Sequence, residues 1–199
     1  MPECKNCTNC FYPNSEYISW LLKVLSPVIF GEKPSEIISI PKPNSSATNN
    51  SLDEIKSFFS HCKKIKFKII NFNNYSYKVF FYHPQKLKDT LNNKSNKLFL
   101  KKLNYDINSY NNMLNDLFKK ISNGVIPDEI GIFLGYPLKD VLGFMGHPSL
   151  KHTKTRGWRI YGDSRISDKL YSNILSSKEK MLMILESTTI NSVFEKYIQ

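Results

Sequence analysis

The sequence predicts a mixed α/β chain, with α+β as the alternative arrangement: a small sheet with a β-hairpin, flanked by helices, and a helical C-terminal part. Three observations carry that expectation. Apolar residues recur at helical spacing in "SEYISWLLKVLSPVIFG" and "SYNNMLNDLFKKISNG". Two β-rich runs flank Asn73-Asn74. Residues 166–198 are helical in character, and no internal repeat competes with these signals.

Taken in order, residues 1–14 read as a Cys-rich extension and residues 15–199 as a single domain. Ile18, Leu21, Leu22 and Leu25 give the first helix one apolar face, and Pro27 and Gly31 are expected to end it. "SEIISIP" is a short strand and "PKPNSSATNNS" a loop. Ser51 followed by Glu54 forms a capping-box pattern ahead of Ile55, Phe58, Phe59 and Cys62. "KFKIINFNNYSYKVFFYHP" is the hairpin. Helical character resumes at Leu87 and Leu91, breaks at 92–96 and returns at Leu98 and Leu103. Met113, Leu114, Leu117, Phe118 and Ile121 line an amphipathic helix stopped by Gly124. "GWRIYGD" is one more strand, and the tail is expected in two or three helical pieces, with Ser176 and Glu179 as a further capping box.

With 41% hydrophobic and 13% aromatic residues, the chain has enough apolar content for a packed core. Met1–Pro13 is polar, without the apolar run of a signal peptide, and "ISWLLKVLSPVIF" is broken by Lys23 and Pro27 and too short to span a bilayer. The expectation is a cytoplasmic chain with no membrane partner and cysteines that are thiols or metal ligands. The net charge of +11 raises nucleic acid as a partner, but only Arg156, Arg159 and Arg165 among 28 basic residues are arginine. Scattered lysines suit a solvated surface better than bidentate recognition.

Cys4, Cys7 and Cys10 stand three residues apart in "CKNCTNC". Thiolates so spaced can hold zinc or open an iron–sulfur run. Asn14 stands where that run would continue, so His61 or Cys62 is the candidate fourth ligand if the segment folds back. The other reading is an exposed tail, with Cys62 an ordinary buried thiol on its own helix. His147 and His152 lack a nearby carboxylate or Cys and read as surface histidines in a basic loop.

The most distinctive stretch is "IPDEIGIFLGYPLKDVLGFMGH". Pro127, Asp128 and Glu129 suit a helix start. Ile130, Phe133 and Leu134 make an apolar face, Gly135 permits a tight turn, and Leu138, Val141, Leu142 and Met145 begin a second face. The pattern is that of a helix-turn-helix, which makes a DNA-binding regulator the second hypothesis. The would-be recognition helix carries no Arg, Asn or Gln to read base edges, so nucleic acid is not favoured. Nearby, "TRGWRIYGDSR" could hold an anionic ligand against Trp158 and Tyr161.

These two blocks resemble a bacterial family known as domain of unknown function 3793. The matching residues are Pro127, Glu129, Ile130, Gly131, Phe133, Leu134, Gly135, Tyr136, Pro137, Asp140, Val141, Gly143, Phe144, Trp158, Tyr161, Gly162 and Asp163. The earlier "SPVIFGEKPSEIISI" is similar to the family's start, so the resemblance covers about residues 16–198. Asp128 stands where the family has His, so a general acid/base role does not carry over there. "KHTKTRGW" lacks the Cys that commonly precedes the family's Trp segment. The resemblance implies a small cytosolic protein with a link to iron or redox metabolism, through neighbouring iron-uptake and flavodoxin genes.

The expected function is a non-enzymatic binding or accessory module with an unknown protein or small-molecule partner. Ligand contacts are expected around Glu129, Tyr136, Asp140, Trp158, Arg159 and Tyr161. An enzyme using the Glu129/Asp163 region is the third hypothesis. No phosphate loop, dinucleotide fingerprint or nucleophile elbow is present to support it.

Overall fold

A computed structural model describes residues 15–43, 50–60 and 62–198. Helix α1 (Glu16–Ile29) opens on Ser15, whose hydroxyl accepts the Ile18 N–H at 3.2 Å and itself donates to Glu54. The helix runs two residues past Pro27 and ends at Ile29, ahead of Gly31 at φ +81°, within the stop expected from these two residues. Proline has no N–H to give the Lys23 carbonyl, and the Ser26 hydroxyl supplies that bond instead at 2.8 Å. Strand β1 (Ser35–Pro41) follows, then α2 (Asn50–Phe59). Helix α2 already includes Asn50, so Ser51 lies inside it and not at its cap, and Glu54 serves the end of α1 instead.

Strands β2 (Lys66–Asn71) and β3 (Ser76–Tyr82) form the expected hairpin, and the Asn73 carboxamide oxygen accepts the N–H groups of Tyr75 and Ser76, both at 2.9 Å, to shape its turn. All pairing is antiparallel in the order β1-β3-β2, with Ile38 opposite Val79 and Ile69 opposite Val79 on the other side. The alternation along β3 assigns its two faces to two cores. Val79 and Phe81 join Leu21, Leu25, Phe58, Met181 and Phe194 on one face. Phe80 joins Leu87, Leu117, Phe133 and Val141 on the other. A central strand buried on both faces explains the unbroken run Val79-Phe80-Phe81, which shows no polar alternation. The outer strand β2 presents exposed Lys66 and Lys68, charges that discourage another strand from adding to this edge.

The second layer contains α3 (Pro84–Asn92), α4 (Lys94–Lys102), α5 (Tyr110–Ser122), α6 (Ile130–Phe133) and α7 (Leu138–Phe144). Asn93 breaks α3 from α4 and caps the latter, and Leu98 on α4 turns to solvent at 51% exposure. Residues 152–156 form a strand, β4 (His152–Arg156), where a basic loop was expected; it pairs with β5 (Trp158–Tyr161) across Gly157. Every side chain of "HTKTR" is polar, so no alternation marks the strand in sequence. Its order comes from its partner.

The tail is helical in three pieces, as expected: α8 (Arg165–Ser187), α9 (Ile190–Val193) and a π-helical turn (Phe194–Ile198). Ser176 and Glu179 lie within α8 and cap nothing, because Ile174, Ser177 and Met181 stay buried without interruption. Among the described residues no helix is long and apolar enough to cross a membrane.

Candidate functional site

The α6–α7 corner is set by contacts with the start of β1. The Ser35 hydroxyl donates to the Phe133 carbonyl at 2.6 Å in a buried contact. Gly135 adopts φ +83°, and a β-carbon there would lie 2.3 Å from Pro34 Cδ, so only glycine fits this turn. The chain then presents Tyr136, whose N–H returns to the Gly131 carbonyl at 2.8 Å. The Lys33 ammonium, 3% exposed and paired with Glu36 at 2.7 Å, sits 5.2 Å from the centre of the Tyr136 ring.

Asp140 lies in the first turn of α7, with its side chain only 1% exposed. Its Oδ1 accepts the Lys139 ammonium at 2.6 Å and the Tyr161 N–H at 2.9 Å. Its Oδ2 accepts the Trp158 indole N–H at 2.9 Å and the Ser167 hydroxyl at 2.6 Å. Four donors fill the capacity of a carboxylate. Burial opposes its ionisation, but the bonds from Lys139, Ser167, Trp158 and the Tyr161 N–H outweigh burial and hold the acid below its usual range. The Lys139 ammonium also donates to the Tyr161 carbonyl at 2.9 Å and to the Ser167 hydroxyl at 2.8 Å. One carboxylate therefore ties α7, β5 and α8 together. Gly143 completes the fit, since a β-carbon there would lie 2.2 Å from Cγ of the Tyr161 ring.

Above this network the tip of the β4–β5 hairpin and the α6–α7 corner enclose a cleft of about 370 Å³. Tyr136 and Trp158 stack in it with ring centres 4.8 Å apart and planes 20° from parallel. Ile130, Gly131, Val141 and Phe144 add apolar wall, while Asp128, Asp140, Thr155 and Arg159 bring polar groups. Phe144 is 48% exposed, and the Arg159 guanidinium lies 5.8 Å from its ring centre. Among the described residues no carboxylate comes within ion-pairing distance of Arg159, whereas Arg165 is paired with Asp163 and Lys154 with Asp168.

Of the expected ligand contacts, Tyr136, Asp140, Trp158 and Arg159 meet in this cleft. Tyr161 stands just behind it, against Gly143. Glu129 lies elsewhere: its Oε1 accepts the Tyr105 hydroxyl at 2.9 Å and the Lys120 ammonium at 2.6 Å. Burial raises its pKa, yet the Lys120 and Tyr105 bonds bring it below the usual carboxylate range. Tyr105 is correspondingly pushed up by burial and by Glu129. Asp163 is exposed and brought down to about 2 by Arg165. Ser167, Lys139 and Asp140 have the residue types of a nucleophile and its partners, but Ser167 is fully buried and its proton points at a carboxylate.

Helix α6 is four residues long and α7 is seven, with Val141 and Gly143 buried and Lys139 turned inward onto Asp140. His147 is exposed, and His152 meets the Thr155 hydroxyl at 3.1 Å. Cys4, Cys7, Cys10 and His61 lie outside the described residues. Cys62 is 2% exposed, with its thiol donating to the Ile198 carbonyl at 3.2 Å and its sulfur accepting the Ile65 N–H at 3.0 Å. Among the described residues no cluster of His, Cys, Asp or Glu could hold a metal ion.

Sequence reasoning did not single out Phe144, Thr155 and Asp128 as cleft residues, nor Lys139 and Ser167 as the supports of Asp140. Phe144 carried one usable signal, a large apolar residue beside a glycine that must be buried. No curated protein and no solved structure matches the chain. A family model described as Protein of unknown function (DUF3793) matches residues 21–194, which take in the cleft, and the chain belongs to that family.

Proposed function

We propose that the protein is a non-enzymatic binding module whose ligand is a small molecule with a planar ring, seated in the cleft between the α6–α7 corner and the β4–β5 tip. The observation that carries this reading is the Tyr136–Trp158 stack, built into an apolar cleft beside exposed Phe144. A concave, mostly apolar site with a few polar groups is the usual form of a small-molecule site, and about 370 Å³ suits one or two fused rings. The positions of the rings are held by Asp140 and Lys33, so the site needs little reorganisation to accept a ligand.

The same network supports a binding role rather than a chemical one for Asp140 and Ser167. Asp140 has no free lone pair to act as a base and, held ionised, no proton to give. Ser167 has no exposed surface from which to attack a substrate.

The test uses 5-fluorotryptophan labelling, since the chain has 2 tryptophans. Trp20→Phe assigns the Trp158 fluorine resonance, and a panel of planar aromatic fragments is then titrated. Fragments carrying a ring are expected to shift that resonance saturably, and Tyr136→Leu is expected to weaken the effect. A Trp158 signal that no fragment moves would overturn the reading.

A further inference from the structure

Resting on that reading of the cleft, we infer that its ligand is an aromatic anion, a planar ring bearing a carboxylate, sulfonate or phosphate, and that Arg159 selects the charge. Three aromatic rings around one cleft could equally form a cage for an organic cation, so the surrounding charges decide. Two of the rings already carry a cation: the Lys33 ammonium lies 5.2 Å from the centre of Tyr136, and the Arg159 guanidinium 5.8 Å from that of Phe144. A cationic ligand would compete for those π faces and be repelled by the occupants.

The charges inside the cleft are unequal in availability. The Asp140 carboxylate is neutralised by Lys139 and saturated by its other donors, so it offers nothing to a ligand. Arg159 lines the cleft, is exposed, and has no carboxylate partner among the described residues. Its planar fork of donors suits a carboxylate or phosphate better than a lysine would. The Thr155 hydroxyl stands on the neighbouring strand, paired in register with Arg159. Asp128 is the one acidic side chain of the cleft lining other than Asp140, and like Arg159 it is exposed. The chain's +11 charge adds a field that draws anions toward the mouth and repels cations.

Three probes with one ring system separate the possibilities: 2-naphthoate, the neutral 2-naphthamide and the cationic 2-naphthylmethylammonium, each titrated calorimetrically. The anion is expected to bind about tenfold tighter than the amide, the size of one charge-assisted contact. Arg159→Gln is expected to abolish that preference, weakening the anion about tenfold more than the amide, and Arg159→Lys to restore part of it. Equal binding of anion and amide overturns the charge assignment and leaves the ring site standing. A preference for the cation that Asp128→Asn removes assigns the opposite ligand charge. Failure of all three probes to bind takes down the ring site and this inference together.

Discussion

The Trp158 indole N–H donates to Asp140 Oδ2 at 2.9 Å, so the aromatic floor of the cleft and the buried carboxylate of α7 form one unit. The same oxygen takes the Ser167 hydroxyl from α8, and Oδ1 takes Lys139 and the backbone of β5. Asp140→Asn would replace an acceptor with an amide whose N–H₂ faces donors and would leave Lys139 without its counter-charge. Breaking a buried ion pair of this kind costs about 3 kcal/mol or more. Urea unfolding should show that loss, and a change below about 1 kcal/mol would mean the network is not what holds the β4–β5 hairpin.

Acid should weaken the fold through the same groups. Asp140 and Glu129 both have folded pKa values below their usual range. A depressed carboxylate contributes stability above its unfolded pKa, about 3.9 for Asp and 4.3 for Glu. That contribution disappears as pH falls through the lower folded value. Unfolding midpoints measured from pH 7 to pH 3 should therefore hold near neutrality and drop below about pH 4. Asp140→Asn should flatten the drop. Midpoints that rise on acidification would contradict the assignment.

Gly143→Ala offers a test in which the sign alone decides. In an ordinary helix the change stabilises by up to about 1 kcal/mol. Here the new methyl would meet the Tyr161 ring at 2.2 Å from Cγ, and Tyr161 is fixed on β5 by its N–H bond to Asp140. Overpacking of this sort costs about 1–3 kcal/mol. Thermal unfolding should show a lower Tm, with a displaced Trp158 fluorine resonance as the local reporter.

A pair of substitutions should separate binding from stability. Tyr136→Leu removes a stacking surface and should weaken ring-bearing probes about tenfold, with a small effect on unfolding. Glu129→Gln lies outside the cleft lining and loses the charge that accepts Lys120 and Tyr105. It should lower stability by about 1–2 kcal/mol and leave probe affinity unchanged. Calorimetry and urea unfolding on both variants provide the four numbers. Loss of affinity in Glu129→Gln would place that residue in the site after all.

Much of the framework was legible because its signals are local. The spacing of Leu21, Leu22 and Leu25, or of Met113, Leu117 and Ile121, marks a helix face whatever the face packs against. The β2–β3 hairpin was legible for the same reason, from two β-rich runs about a polar turn. Pro27 and Gly31 marked the end of α1, and Ser26 supplies the bond proline cannot, which carries the helix on to Ile29. Strand β4 was hidden because its five side chains are polar and its order is borrowed from β5.

The candidate site divides along the same line. By itself the sequence determined the Glu-Ile-Gly to Gly-Phe block, its tight turn and the aromatic residues that make ring binding possible, because residue type and spacing carry that information. Only the tertiary structure decided that Asp140 is a saturated tie and Glu129 a partner of Lys120, while Arg159 remains a cation without a carboxylate among the described residues. A carboxylate's role depends on how many donors reach its oxygens. For Asp140 those donors come from residues 139, 158, 161 and 167, on three elements that meet only when the chain folds.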